Sequence, residues 1–98
     1  MILVRDVFQL HFGKAKEVKS LWKKGARIEK KLGFEPSRCM FDLTGPYYTF
    51  VMESTYKNLA SYEQALQKGM SSPEFSAWYQ KFVPLVESGR PEIFTLLD

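Results

Sequence analysis

The stretch Arg38-Cys-Met-Phe-Asp-Leu-Thr-Gly-Pro-Tyr-Tyr-Thr-Phe-Val-Met-Glu53 decides the fold. Cys39, Phe41 and Leu43 alternate with Arg38, Met40 and Asp42, Thr44-Gly45-Pro46 supplies a turn, and the alternation resumes from Tyr47 to Ser54. Successive strand side chains point to opposite faces, so this period of two predicts a hairpin with strands over 38–43 and 47–54. Upstream, residues 2–12 set Phe8, Leu10 and Phe12 against Val7, Gln9 and His11, which predicts another strand, broken at Gly13. From Lys14 to Leu32 the period lengthens. Val18, Leu21, Trp22, Ile28 and Leu32 recur every three or four residues with Gly25 on the same stripe, the pattern of an amphipathic helix closed by Gly33. Glycine inside a helix costs roughly 1 kcal/mol against alanine, so Gly25 is expected to permit close approach to the sheet.

Downstream, Asn58 suits the N-cap of a helix carrying Leu59, Tyr62, Leu66 and Met70. Ser71 and Glu74 then have capping-box spacing around Pro73, which predicts a second helical segment with Phe75, Trp78, Phe82, Leu85 and Val86 on one stripe. Pro84 falls inside it and predicts a kink or a tightened last turn. Ser88-Gly89 reads as its end, and Glu92 to Asp98 as the last strand. The order β-α-β-β-α-(α)-β is the ferredoxin-like α+β plan: helices, the second of them split, on one face of an antiparallel sheet, in a single domain over residues 1–98.

Composition agrees. The chain has 98 residues, 45% hydrophobic and 26% charged, which fits one small globular domain. A lone cysteine, Cys39, allows no intrachain disulfide, and one histidine leaves no zinc spacing, so neither a metal nor a cofactor is expected. Arg5 and Asp6 interrupt the apolar run that a signal peptide would need, so a cytoplasmic location is expected. The net charge of +3 hides a basic stretch, eight Lys and Arg between Lys14 and Lys31 against Glu17 and Glu29, which reads as the solvated face of the first helix.

Parity sorts the strands into two faces. Phe8, Leu10, Phe12, Cys39, Phe41, Leu43, Tyr48, Phe50 and Met52 form an apolar face expected under the helices. The other face carries Arg5, Val7, Gln9, His11, Arg38, Met40, Asp42, Tyr47, Thr49, Val51 and Glu53, too apolar for water and too polar for a dry core. Two such sheets packed face to face would bury it, so a homodimer is expected, with no membrane and no nucleic acid as partner.

Gly45-Pro46 ahead of Tyr47-Tyr48-Thr49-Phe50-Val51-Met52-Glu53, then Asn58-Leu59-Ala60-Ser61-Tyr62-Glu63, Ser72-Pro73-Glu74-Phe75 and Val83-Pro84-Leu85-Val86-Glu87-Ser88-Gly89, resemble the dimeric α/β-barrel superfamily. Within it the chain is similar to small NIPSNAP-like and antibiotic-biosynthesis-monooxygenase-like proteins. The resemblance implies a dimeric α/β barrel with a ligand cavity between sheet and helices, and a range of activities that includes cofactor-free monooxygenases and haem-binding proteins. The monooxygenases rely on an Asn and a Trp, and the haem-degrading members add a helical His. In this chain the one Asn, Asn58, reads as a helix cap, the one His, His11, as a strand end, and Trp22 and Trp78 as helix-stripe residues.

The expected role is binding of a small aromatic or apolar ligand, with monooxygenase-like oxidation as the enzymatic form and a non-catalytic ligand-binding or protein-interaction module as the alternative. His11, Tyr47 and Glu53 are the candidate catalytic residues, since their side chains can move a proton. Arg5, Arg38 and Asp42, with Tyr48, Tyr62, Trp78 and Tyr79, are the candidate ligand-binding residues: charged groups to orient a polar end, aromatics to line a cavity. The polar group reads equally as cross-strand ion pairing, and Cys39 as a small buried apolar residue. The same strand order also occurs in RNA-recognition motifs, but stacking bases on Tyr48 and Phe50 would turn Glu53 and Asp42 under the helices, at a cost of several kcal/mol.

Overall fold

A computed structural model describes residues 1–97; Asp98, the end of the expected last strand, lies outside the described residues. The elements are β1 (Ile2–Leu10), α1 (Ala15–Lys31), β2 (Arg38–Phe41), β3 (Thr49–Tyr56), α2 (Leu59–Met70), α3 (Pro73–Phe82), a 3-10 turn over Val83–Leu85, and β4 (Val86–Thr95). The strands form one antiparallel sheet in the order β2-β3-β1-β4, the ferredoxin-like arrangement, with β1 in the interior. The buried core is Leu10 and Phe50 from the sheet, Val18, Leu21 and Ile28 from α1, and Trp78 and Phe82 from α3. Among the described residues no helix is long and apolar enough to cross a membrane.

Local signals account for most element ends. Asn58 Oδ1 accepts from the Ser61 N–H at 2.9 Å, capping α2. Gly33, with φ +85°, stops α1 in the left-handed conformation that favours glycine. The cap of α3 is Ser72 rather than Ser71: its Oγ accepts from the Phe75 N–H at 3.2 Å, while the Ser71 hydroxyl donates back to the Gln67 carbonyl of α2. Pro84 does tighten the chain, within the 3-10 turn.

The last strand begins six residues earlier than the sequence suggests. Ser88 and Gly89 lie inside β4, opposite Gln9 and Phe8. A Cβ at Gly89 would sit 2.6 Å from the Phe8 ring, so this glycine makes room for a neighbouring side chain instead of ending a helix. Glu87 is the extra residue of a bulge, because Gln9 pairs with Ser88 and Leu10 with Val86. The hairpin strands are also displaced, to 38–41 and 49–56. Asp42 closes their loop by accepting from the Thr49 N–H at 2.7 Å through Oδ1. Parity therefore fails past the strand ends: Phe12 is 73% and Leu43 98% exposed, not covered by helices.

Gly25 does serve close approach, but to α3. A Cβ there would lie 2.8 Å from the Trp78 indole, whose Nε1 donates to the Leu21 carbonyl at 2.7 Å. Gly25→Ala therefore sets a propensity gain of about 1 kcal/mol against overpacking worth about 1–3 kcal/mol. Urea denaturation should show net destabilisation in the native background and none in a Trp78→Phe background. Equal effects in both would show that the indole is not what excludes a side chain.

Candidate functional site

Between the sheet and its helices lies a cleft of about 770 Å³. Its apolar wall is built by Trp22 of α1 with Phe75, Trp78 and Phe82 of α3, in contact as T-shaped, tilted and stacked pairs with centroids 5.2–6.3 Å apart. Tyr56 of β3 and Tyr62 of α2 close another side, their rings 5.1 Å apart. Met70 and Tyr79, both substantially exposed, mark the rim.

Polar groups enter this apolar space at a few points. Asp6 stands in β1 on the helix-covered face, directly between Met52 of β3 and Pro91 of β4. Burial pushes its carboxyl above the ordinary carboxylate range, with no hydrogen bond or counter-ion opposing the shift. Glu29 of α1 accepts from the Ser37 N–H at 2.9 Å and its hydroxyl at 3.2 Å, and Ser37 Oγ lies 2.8 Å from Ser54 Oγ, tying helix, loop and β3 together. Burial still raises the Glu29 carboxyl against those hydrogen bonds. Both tyrosine hydroxyls are raised, by burial first, then for Tyr56 chiefly by the charge of Glu29 and for Tyr62 by that of Asp6. Cys39 is pushed up to about 12 by burial and the Glu29 charge, which leaves an unreactive thiol.

The sequence-selected residues divide between three places. Tyr62, Trp78 and Tyr79 line the cleft. Arg5, Arg38 and Glu53 meet on the opposite, open face of the sheet. There Arg38, Glu53, Arg5 and Glu92 are successive cross-strand neighbours over all four strands. Glu53 lies 2.9 Å from Arg38 Nη2 and 3.0 Å from Arg5 Nε, the latter contact ionic but not aligned as a hydrogen bond; Arg5 continues to Glu92 at 3.6 Å and Glu92 to Arg90 at 3.1 Å. The remaining four gather at one end of the sheet. His11 is exposed beyond β1, its carbonyl accepting from Lys14; Asp42 closes the hairpin; Tyr47 is 74% exposed; and Tyr48, at φ +62°, packs on Phe12 with centroids 5.2 Å apart. His11, Tyr47 and Glu53 are thus not brought together, and none of them lines the cleft. Phe50, 1% exposed, is unavailable for base stacking.

This architecture can be set beside known proteins. The sequence pattern of the NIPSNAP family matches residues 5–98. The chain belongs to the NIPSNAP family. Solved structures carry the same fold: a NIPSNAP family protein from Agrobacterium tumefaciens has a TM-score of 0.91 at 18% identity, over 99% of this chain and 93% of that one. An uncharacterised NIPSNAP domain protein from Burkholderia xenovorans gives 0.87 at 16% identity, over 99% and 95%. A putative antibiotic biosynthesis monooxygenase from Nitrosomonas europaea gives 0.75 at 14% identity over the whole of both chains. No curated protein matches significantly.

In this NIPSNAP chain the residue that sequence reasoning passed over is Asp6. The signal was present: Val4, Asp6, Phe8 and Leu10 share one parity, and an acid there falls among residues that face the helices. An acid whose affinity for a proton rises on folding stabilises the folded chain at low pH. That contribution is lost as pH rises from about 3.8, its ordinary value, through the raised one. Asp6→Asn should therefore raise the melting temperature by a few degrees at pH 7 and leave it nearly unchanged near pH 3. Thermal unfolding of both proteins across that range is the check, and a lower melting temperature for Asp6→Asn at pH 7 would contradict it.

Proposed function

We propose that this chain is a homodimeric binding domain that holds a small, largely apolar molecule in the cleft between sheet and helices. The observation that carries the reading is the cleft itself. Its 770 Å³ falls inside the roughly 300–1,000 Å³ range of small-molecule sites, and its walls are aromatic with a few convergent polar groups. Trp22 and Trp78 pack on each other, and Asp6, Tyr56 and Tyr62 line the cleft with them.

Dimerisation is supported by the open face. Leu3, Val7, Val51, Met40 and Phe94 share it with the arginine-glutamate row, and a second sheet laid across it would cover the apolar residues while the charges pair in register. A monooxygenase-like reaction of the bound molecule is the second reading. It is favoured by Asp6, a carboxyl raised by burial and placed to exchange a proton with a substrate in the cleft.

Two measurements test these readings. In a nitrogen-15 NMR titration, 2-naphthylmethanol, a neutral probe of suitable size, should shift the amides of Tyr62, Ala65 and Trp78. Ala65→Trp, which fills the cleft from α2, should weaken it at least tenfold with little change in melting temperature; shifts scattered over the surface would defeat the cleft assignment. Native mass spectrometry should give twice the 11.4 kDa chain mass, and Val51→Glu should return a folded monomer. A native chain that stays monomeric at micromolar concentration would remove the dimer.

A further inference from the structure

We propose that the cleft selects an apolar amine, bound as its ammonium form against Asp6, over a carboxylate or neutral molecule of the same shape. This rests on the binding reading above and names the ligand class.

Acids outnumber bases on the cleft lining. Among the described residues two acids line it, Asp6 and Glu29, and the one basic residue on the lining, Arg90, is in register with Val7 on the open face, where its Nε contacts Glu92 at 3.1 Å. Lys68 holds its Nζ 5.4 Å from the centre of the ring of Phe34, itself a lining residue, so its charge is engaged by that ring at the cleft wall. A ligand carboxylate placed beside Asp6 would therefore give up water next to a like charge, which is strongly unfavourable in an apolar enclosure. An ammonium group meets the opposite situation.

The two acids are not equivalent. Glu29 already accepts two hydrogen bonds from Ser37, whereas Asp6 has no side-chain partner among the described residues and stands mid-strand between Met52 and Pro91. A charged amine placed there gains a charge-assisted hydrogen bond that the chain itself leaves unmade. The surrounding walls suit the same class, because Tyr56 and Tyr62 line the space with Asp6, and aromatic quadrupoles attract cations while the rings accept an apolar body.

The test compares three molecules with one ring system: 2-naphthylmethylamine, 2-naphthylmethanol and 2-naphthoate, titrated by calorimetry at pH 7 into the native protein and into Asp6→Asn. The amine should bind at least tenfold more tightly than the alcohol, and the naphthoate at least tenfold more weakly. In Asp6→Asn the amine should fall to the affinity of the alcohol, with the alcohol itself retained, which shows that the cleft persists. Binding of the alcohol with no preference for the amine, or naphthoate binding as tightly, overturns the amine assignment and leaves the binding reading standing. Failure of all three to bind overturns both.

Discussion

The contact between Gly25 and Trp78 sets the spacing of the helical layer. With no side chain at Gly25, the indole lies against the α1 backbone and donates to Leu21, one turn earlier on the same helix. The same ring stacks on Phe82 at 5.2 Å and 13°, so one side chain fixes α1 against α3 and reaches the aromatic core over the sheet. Helices that meet through a glycine approach more closely than the usual 8–10 Å of side-chain-separated pairs. In α2 the one buried residue is Gly69, which faces Phe75 of α3; the helix is held by its own cap, by α3 and by the Tyr56–Tyr62 contact to β3, and the cleft lies between it and the sheet.

Local rules made much of this legible. Period-two and helical patterns placed the strands and helices in the right order, and Asn58 and Gly33 acted as their residue types predict, because caps depend on the backbone within a few residues. What escaped depends on contacts distant in sequence. Gly89 resembles a terminator until Phe8, 81 positions away, is seen against it. Gly25 was recognised as a close-approach glycine, but a sequence does not say which surface approaches. Phe12 and Leu43 carry strand parity beyond the point where pairing stops, and nothing local marks that point.

The polar residues show the same division. Opposite charges on one parity signalled the pairing of Arg5, Arg38 and Glu53, which the register delivers as a row across the sheet. Exposed ion pairs contribute only about 0–1 kcal/mol each, so the row is better understood as a register device than as a source of stability. A one-residue slip of β3 would set Glu53 under the helices and carry Phe50 out to the open face. Glu53, at 13% side-chain exposure between two arginines, is the member for which that slip would be most costly.

Asp6 has no such compensation. It is one residue from Arg5, yet strand alternation sends the two to opposite faces, so the nearest cation in sequence is placed where it cannot neutralise the carboxylate. A valine or leucine at this position would suit the neighbours Val4 and Phe8 and remove a desolvation cost that nothing among the described residues offsets. Local consistency is therefore broken at one point of β1, and that point opens onto the cleft. Sequences depart from such consistency chiefly where function requires it. The same carboxyl that lowers stability when unpartnered is the acid of the cleft left without a hydrogen-bond partner among the described residues, whereas Glu29 is held by Ser37, which is why the chemistry of the site is read from Asp6 rather than from the aromatic walls that enclose it.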